Sequence, residues 1–254
     1  MGTLFAAAPA QADRELVRTI ARVKPSVVGV GTFQAIRQPR SLLKGTGFVV
    51  GVGLHVLTNF HVIDQNLTPV NREFLAVLVG RGSRFESRTV EVVATAPDYD
   101  LALLKMKGTP LPALTLSTVE QMRPEGTSVA ITGFPIGPVL GLFPVTHTGI
   151  IAAISPNVIP QRQARLLDAE MILRKRFLVY QLDLVAYPGN SGSPLFNTET
   201  GEVVGVLNST FVKGTKEKAL TDPSGISFAI PAKHGLQLLK QARVKVNASS
   251  ASLR

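Results

Sequence analysis

The chain has 254 residues, 45% of them hydrophobic, with 22 glycines and 17 prolines spread along it: enough apolar material for a sizeable core, and the turn content of many short strands. Cysteine is absent, which excludes a disulfide framework and a thiolate metal site; the histidines (His55, His61, His147, His234) lack the close pairing of a zinc motif, so no metal and no other cofactor is expected. A net charge of +10 draws the chain toward anionic surfaces, but aromatics at 6% and no Trp supply no aromatic-rich basic motif of a nucleic-acid module.

The first residues, 1–12, read as the remnant of an export signal or as a disordered start. Ala8-Pro9-Ala10-Gln11-Ala12 ends in a small-x-small pattern, although the apolar run before it is short and no basic region precedes it. The expected location is therefore exported, periplasmic in a bacterium, with cytoplasmic as the alternative. No stretch reaches the roughly 18 apolar residues of a spanning helix.

Residues 13–23 follow a helical pattern, with Asp13 as cap, Leu16, Val17, Ile20 and Val23 on one face, and Pro25 as stop. Short β-rich runs follow at 26–32, 45–50, 55–59, 74–79, 89–94 and 101–106. A join at 109–125, holding Pro110, Pro112 and Pro124, has the composition of an exposed connection. The second set of runs lies at 128–133, 145–154, 177–183, 203–210 and 225–230, and Pro231 then opens an amphipathic helix to about residue 242. The tail 247–254 is polar and expected to be frayed. Two sets of about six strands predict an all-β chain of two six-stranded antiparallel β-barrels, about 26–108 and 125–230, with short N- and C-terminal helices, inside one domain spanning 13–246. Residues 155–176 break the strand pattern. They carry Arg162, Arg165, Arg174, Lys175 and Arg176 and read as an inserted basic loop, either a solvated face or a contact for an anionic partner.

Three segments carry chemistry when read together. In VLTNFHVI (56–63) His61 lies just past a strand end; in DYDLALLK (98–105) Asp100 opens a strand; in YPGNSGSPL (187–195) Ser191 sits in a tight turn between Gly189 and Gly192. A serine hydroxyl is a weak nucleophile until a neighbouring base takes its proton. An imidazole can do so near neutral pH, and a carboxylate on its other nitrogen fixes the tautomer and stabilises the imidazolium. Gly189 and Ser191 would aim backbone N–H groups at an oxyanion. Each segment alone has a plain structural reading, as a strand-end histidine, a turn aspartate and a glycine turn; the order His, Asp, Ser in these contexts is the signal. Asp98 competes with Asp100, which is favoured because Leu-Ala-Leu-Leu follows it directly. Ser193 competes with Ser191, which alone has the flanking glycines. Asp183 reads as a loop-orienting or plain surface residue, and His147 and His234 as surface or strand histidines. An α/β-hydrolase elbow is excluded, since Gly189-Asn190-Ser191-Gly192-Ser193 fails at its last position.

With these motifs the sequence resembles the trypsin-like serine proteases, and within them the HtrA (Deg) branch. TNFHV at 58–62, DLALLK at 100–105 and GNSG at 189–192 match the family's three blocks; VTHTGIIAAIS at 145–155, YQLDLVAYPGNSG at 180–192 and GISFAIP at 225–231 resemble further HtrA segments. The resemblance covers about 15–242 and implies a serine endopeptidase acting on protein or peptide substrates, the alternative being a catalytically silent binding module of the same fold. It implies that Val185, six before Ser191, lies at the base of the primary pocket. There it cannot pair with Lys or Arg, so cleavage after small or medium aliphatic residues is expected. Leu207, Asn208 and Ser209 are expected along one wall, offering backbone to an extended substrate, and Ile226 on the opposite wall. Asn190 replaces the Asp with which zymogen-type relatives bind a new N-terminus, so no activation of that kind is expected. The chain ends about a dozen residues past its last helix, so no PDZ domain is expected. A homotrimer formed through about 13–25 is also implied.

Overall fold

The computed structural model describes residues 11–63, 72–135, 141–157, 175–208 and 225–246. Helix α1 (Gln11–Val23) leads through a short 3-10 turn into the first six strands: β1 (Val27–Gln34), β2 (Ser41–Val50), β3 (His55–Asn59), β4 (Glu73–Arg81), β5 (Arg84–Ala96) and β6 (Leu101–Met106). They close in the order β1-β2-β3-β6-β5-β4, all antiparallel. The second six are β7 (Ser128–Gly133), β8 (Val145–Pro156), β9 (Leu178–Asp183), β10 (Pro194–Asn197), β11 (Val203–Asn208) and β12 (Ile226–Pro231), closed as β10-β11-β12-β9-β8-β7. Helix α2 (Ala232–Gln241) follows directly on β12.

Alternation and β-branching explain the barrels. Val28, Val30, Val49, Val56, Val77, Leu104 and Met106 fill the first, and Val129, Ile131, Ile151, Leu182, Leu195 and Leu207 the second. A third cluster welds the two together, with Phe48, Leu57 and Leu103 from one barrel, Phe134, Phe196 and Val206 from the other, and Leu238 and Leu239 from α2. Being buried on both faces, β6, β7 and β11 read as near-continuous apolar runs. Truncating Phe134 or Phe196 in this seam to Ala would cost about 3–5 kcal/mol.

Two local expectations are corrected. The strand β10 did not stand out, because it is four residues long and opens with a proline. On α1 the buried face holds Thr19 and Val23, with Val17 67% exposed, because the Thr19 hydroxyl donates to the Glu199 carbonyl (3.0 Å) and turns that face onto the second barrel.

Candidate active site at the seam between the barrels

Strand β3 runs antiparallel between β2 and β6 and stops at Asn59, where a 3-10 turn, Phe60–Val62, swings His61 out. Strand β6 begins at Leu101, directly after Asp100, which sits in a left-handed conformation (φ 51°, ψ 46°). Aspartate is among the few residues that tolerate this region. Three hydrogen bonds hold its backbone: Asp100 N–H to the Pro97 carbonyl (2.9 Å), and Phe60 N–H (3.1 Å) and Asn59 Nδ2 (3.0 Å) to the Asp100 carbonyl.

The Asp100 carboxylate faces three donors. His61 Nδ1–H donates to Oδ2 at 2.6 Å, His61 backbone N–H to Oδ1 at 2.8 Å, and Asn208 Nδ2 to Oδ2 at 2.7 Å. A carboxylate oxygen only accepts, so the imidazole proton is on Nδ1 and the lone pair of a neutral ring is on Nε2. The His61 side chain is one-third exposed and that of Asp100 19%.

The turn carrying Ser191 comes from the second barrel and docks onto the first. Thr46 N–H donates to the Ser191 carbonyl (2.8 Å) and Thr46 Oγ1–H to the Gly189 carbonyl (2.7 Å), while Thr58 Oγ1–H donates to the Thr46 carbonyl (2.7 Å). Gly192 lies on that Thr46–Thr58 pair at φ 86°, so close that a Cβ there would stand 2.0 Å from the Thr46 carbonyl oxygen. Only glycine fits. The Ser191 turn is thus fixed against the strand end that carries His61, three residues beyond Thr58.

Upstream, Asn190 N–H donates to the Tyr187 carbonyl (3.0 Å) across Pro188 and Gly189, and Gly189 has φ 99°. Proline second and a positive-φ glycine third are what a type II turn demands. The N–H groups of Gly192 and Ser193 go to the Leu207 and Asn190 carbonyls (3.0 and 2.9 Å). Asn190 is fully buried, and among the described residues both of its amide atoms lack a partner, as does the buried Ser193 hydroxyl.

The wall residues divide. Val185 is half-buried and Ile226 44% exposed. Beside them, the buried Ser227 hydroxyl donates to the Leu184 carbonyl (3.0 Å). Leu207 has its side chain in the barrel core, and its N–H and C=O pair with Ser193 and Gly192. Asn208 faces the other way, as alternation along a strand requires, and its amide donates to Asp100 Oδ2. Ser209 lies outside the described residues, as do Arg162, Arg165 and Arg174; Lys175 and Arg176 are exposed. Asp183 is exposed and pairs through its backbone with Ile226.

The remaining histidines are half-buried or buried. Burial lowers the pKa of His55, with Lys105 adding to it, and burial alone lowers that of His147, which lies on β8. His234, expected at the surface or on a strand, is on α2, buried, with its ring stacked on Tyr99 (centroids 3.9 Å apart). Burial first, then Lys233 and Lys175, press its pKa down to about 4. Among the described residues no cluster of His, Asp or Glu could hold a metal.

Residues 45–206 match the model of the trypsin-like peptidase domain. Among curated proteins, a probable periplasmic serine endoprotease, DegP-like, of Chlamydia muridarum is 30% identical over 80% of this chain and 34% of its own length. A protein of the same description from a Marinomonas species is 32% identical, over 82% of this chain and 37% of its own. The chain thus spans about a third of the length of these relatives. Among solved structures, a serine endoprotease from Yersinia pestis superposes with a TM-score of 0.61 at 23% identity, covering 92% of this chain and 67% of that one. Deg5 gives 0.63 at 24% identity, covering 89% and 93%.

Proposed function

Because the chain belongs to the trypsin-like peptidase family, we propose that it is a serine endopeptidase whose catalytic residues are Ser191, His61 and Asp100. The observation that carries this reading is the His61 Nδ1–Asp100 Oδ2 hydrogen bond of 2.6 Å at the strand end onto which the Ser191 turn is docked. His61 Nε2 takes the proton of Ser191 Oγ as that oxygen attacks a peptide carbonyl, and then hands it to the departing amine. Water, activated by the same nitrogen, releases the acyl group from Ser191. Asp100 holds the ring and stabilises the imidazolium. The N–H groups of Gly189 and Ser191 receive the oxyanion, the positive φ of Gly189 supporting that role; losing one such donor costs ~3 kcal/mol of transition-state stabilisation.

Val185 gives the pocket an uncharged base, and the substrates proposed are unfolded proteins cut after Val, Ala or Leu. An exported, periplasmic location belongs to the same reading, by analogy with relatives described as periplasmic. So does self-association through 13–25, supported by the exposed Val17 on α1. The test is cleavage of casein followed by mass spectrometry beside Ser191→Ala. Cleavage by the parent alone, with aliphatic residues at the new C-termini, is expected. Equal cleavage by the variant refutes the assignment of Ser191, and strict cleavage after Lys or Arg refutes the role of Val185.

A further inference from the structure

Tyr99, the residue before Asp100, is gripped by parts of the chain far from it in sequence. Its ring stacks on His234 of α2 at 3.9 Å and 21°, and meets Phe177 edge-on at 5.0 Å and 70°. Phe177 also meets His234 edge-on at 5.3 Å, so the three rings form a closed set. The Lys175 ammonium stands over the Tyr99 ring, 4.8 Å from its centre.

Phe177 and Lys175 are themselves fixed. Asn157, just past the end of β8, donates its side-chain amide to the Lys175 carbonyl (3.0 Å) and accepts from Phe177 N–H (3.0 Å), while its own N–H donates to the Phe177 carbonyl (2.9 Å). This ring set therefore ties the 3-10 turn Pro97–Tyr99 to the second barrel and to helix α2 at once.

The residue that follows is in a left-handed conformation, which aspartate tolerates at a small cost that its surroundings offset. The hydrogen bonds on Asp100 fix its backbone, but the turn leading into it has two less sheltered members, Pro97 and Asp98. Tyr99 supplies the anchored ring of that turn.

We propose that Tyr99, held by His234 and Phe177, is a positioning residue that sets the conformation of Asp100 and through it the orientation of His61. The inference rests on the assignment of Asp100 above. Rings with centroids about 4–7 Å apart in stacked and edge-on geometry attract one another beyond their buried area, and such contacts restrict the turn. Tyr99 touches no reacting group; its effect reaches the chemistry only through the carboxylate.

The test compares Tyr99→Leu and His234→Leu, which dissolve the ring set, with Tyr99→Phe, which keeps it. Two readouts are taken on each folded variant: kcat and KM on a peptide amide with an aliphatic residue before the cut, and the deshielded proton resonance of His61 Nδ1–H. For the two leucine variants, kcat is expected to fall on the order of tenfold or more with KM within about twofold, short of the ~10²-fold of a 1 Å misplacement. Their resonance should shift or broaden, and Tyr99→Phe should match the parent in both readouts. Melting temperatures lowered while kcat and the resonance stay at parent values, measured well below the melt, would make the set merely structural and overturn the proposal. If Tyr99→Leu does not fold, His234→Leu and Phe177→Leu, which leave Tyr99 in place, carry the test. A parent that shows the resonance and cleaves nothing refutes the protease reading alone, and the resonance in the variants still decides the positioning role.

Discussion

Asn208→Leu is the most informative single substitution outside the proposed triad. The Asn208 amide donates to Asp100 Oδ2 at 2.7 Å, sharing that oxygen with His61 Nδ1–H, and the residue is fully buried. A hydrogen bond to an ionised group contributes about 1.5–3 kcal/mol net. Leucine is of similar size, so little cavity forms, and the donor to Asp100 Oδ2 is lost. Asp100 then keeps two donors of three, both from His61. Urea unfolding should show the midpoint falling by the equivalent of about 2 kcal/mol at unchanged m. The kcat on a peptide amide should fall about tenfold or more with KM nearly constant, because the orientation of Asp100 matters most once the imidazolium forms. A midpoint within about 0.5 kcal/mol of the parent together with an unchanged kcat would refute the reasoning, since surface-like tolerance is incompatible with a donor to the carboxylate of the proposed triad. Asn208→Asp goes further. It sets a second carboxyl group at hydrogen-bond distance from Asp100, the two share a proton, and kcat should fall more than in the leucine variant.

Three other outcomes follow from neighbouring geometry. Gly192→Ala forces a Cβ into the Thr46 carbonyl at φ 86°, so it should lose at least about 3 kcal/mol by urea titration and nearly all labelling of Ser191 by a phosphonate probe. Asn190→Asp buries a carboxylate where neither amide atom has a partner among the described residues, and should cost several kcal/mol at about pH 8, with part of the stability returning at about pH 5 as the new acid protonates. His234 has a folded pKa of about 4 against 6.5 unfolded, so the unfolded chain binds the extra proton between those values. Its contribution is complete above pH 6.5 and drains away as pH falls toward 4. Discounted for the ring's partial contact with solvent, it amounts to about 2 kcal/mol. Urea midpoints of the parent and His234→Gln between about pH 7.5 and 4 should converge by that amount; parallel curves would refute it.

The contrast between Ser191 and Asn208 marks what the sequence could disclose. The order His61, Asp100, Ser191 is local information: a strand end, a strand start and a glycine-flanked turn, each read within a few residues. The barrels were legible for the same reason, since period-two alternation and valine-rich runs announce strands without reference to partners. Asn208 reaches a carboxylate 108 residues away, and no local pattern names that partner. The direction was nonetheless available, because a leucine belonging in the core at 207 requires residue 208 to face the opposite side. His234 was misread for a related reason. Its helix was visible, but the stack with Tyr99 depends on how α2 folds back over the first barrel, which only the closed structure decides. The face of α1 failed on a polar residue: Thr19 is buried because of one hydrogen bond to Glu199, and a hydrophobic pattern cannot see it.

The seam has a consequence for how the molecule comes into being. Chains emerge from the ribosome N-terminus first, and domains tend to fold in that order. His61 and Asp100 belong to the first barrel and Ser191 to the second, whose closing strand β12 comes later in the chain. The first barrel can close while Ser191 is still unmade, and β11, which holds the Ser191 turn through Leu207 and reaches Asp100 through Asn208, comes later still. The arrangement keeps the proposed nucleophile apart from its proposed base until Ser191 and the strands that hold its turn have been made, so a nascent copy carries only part of the proposed site.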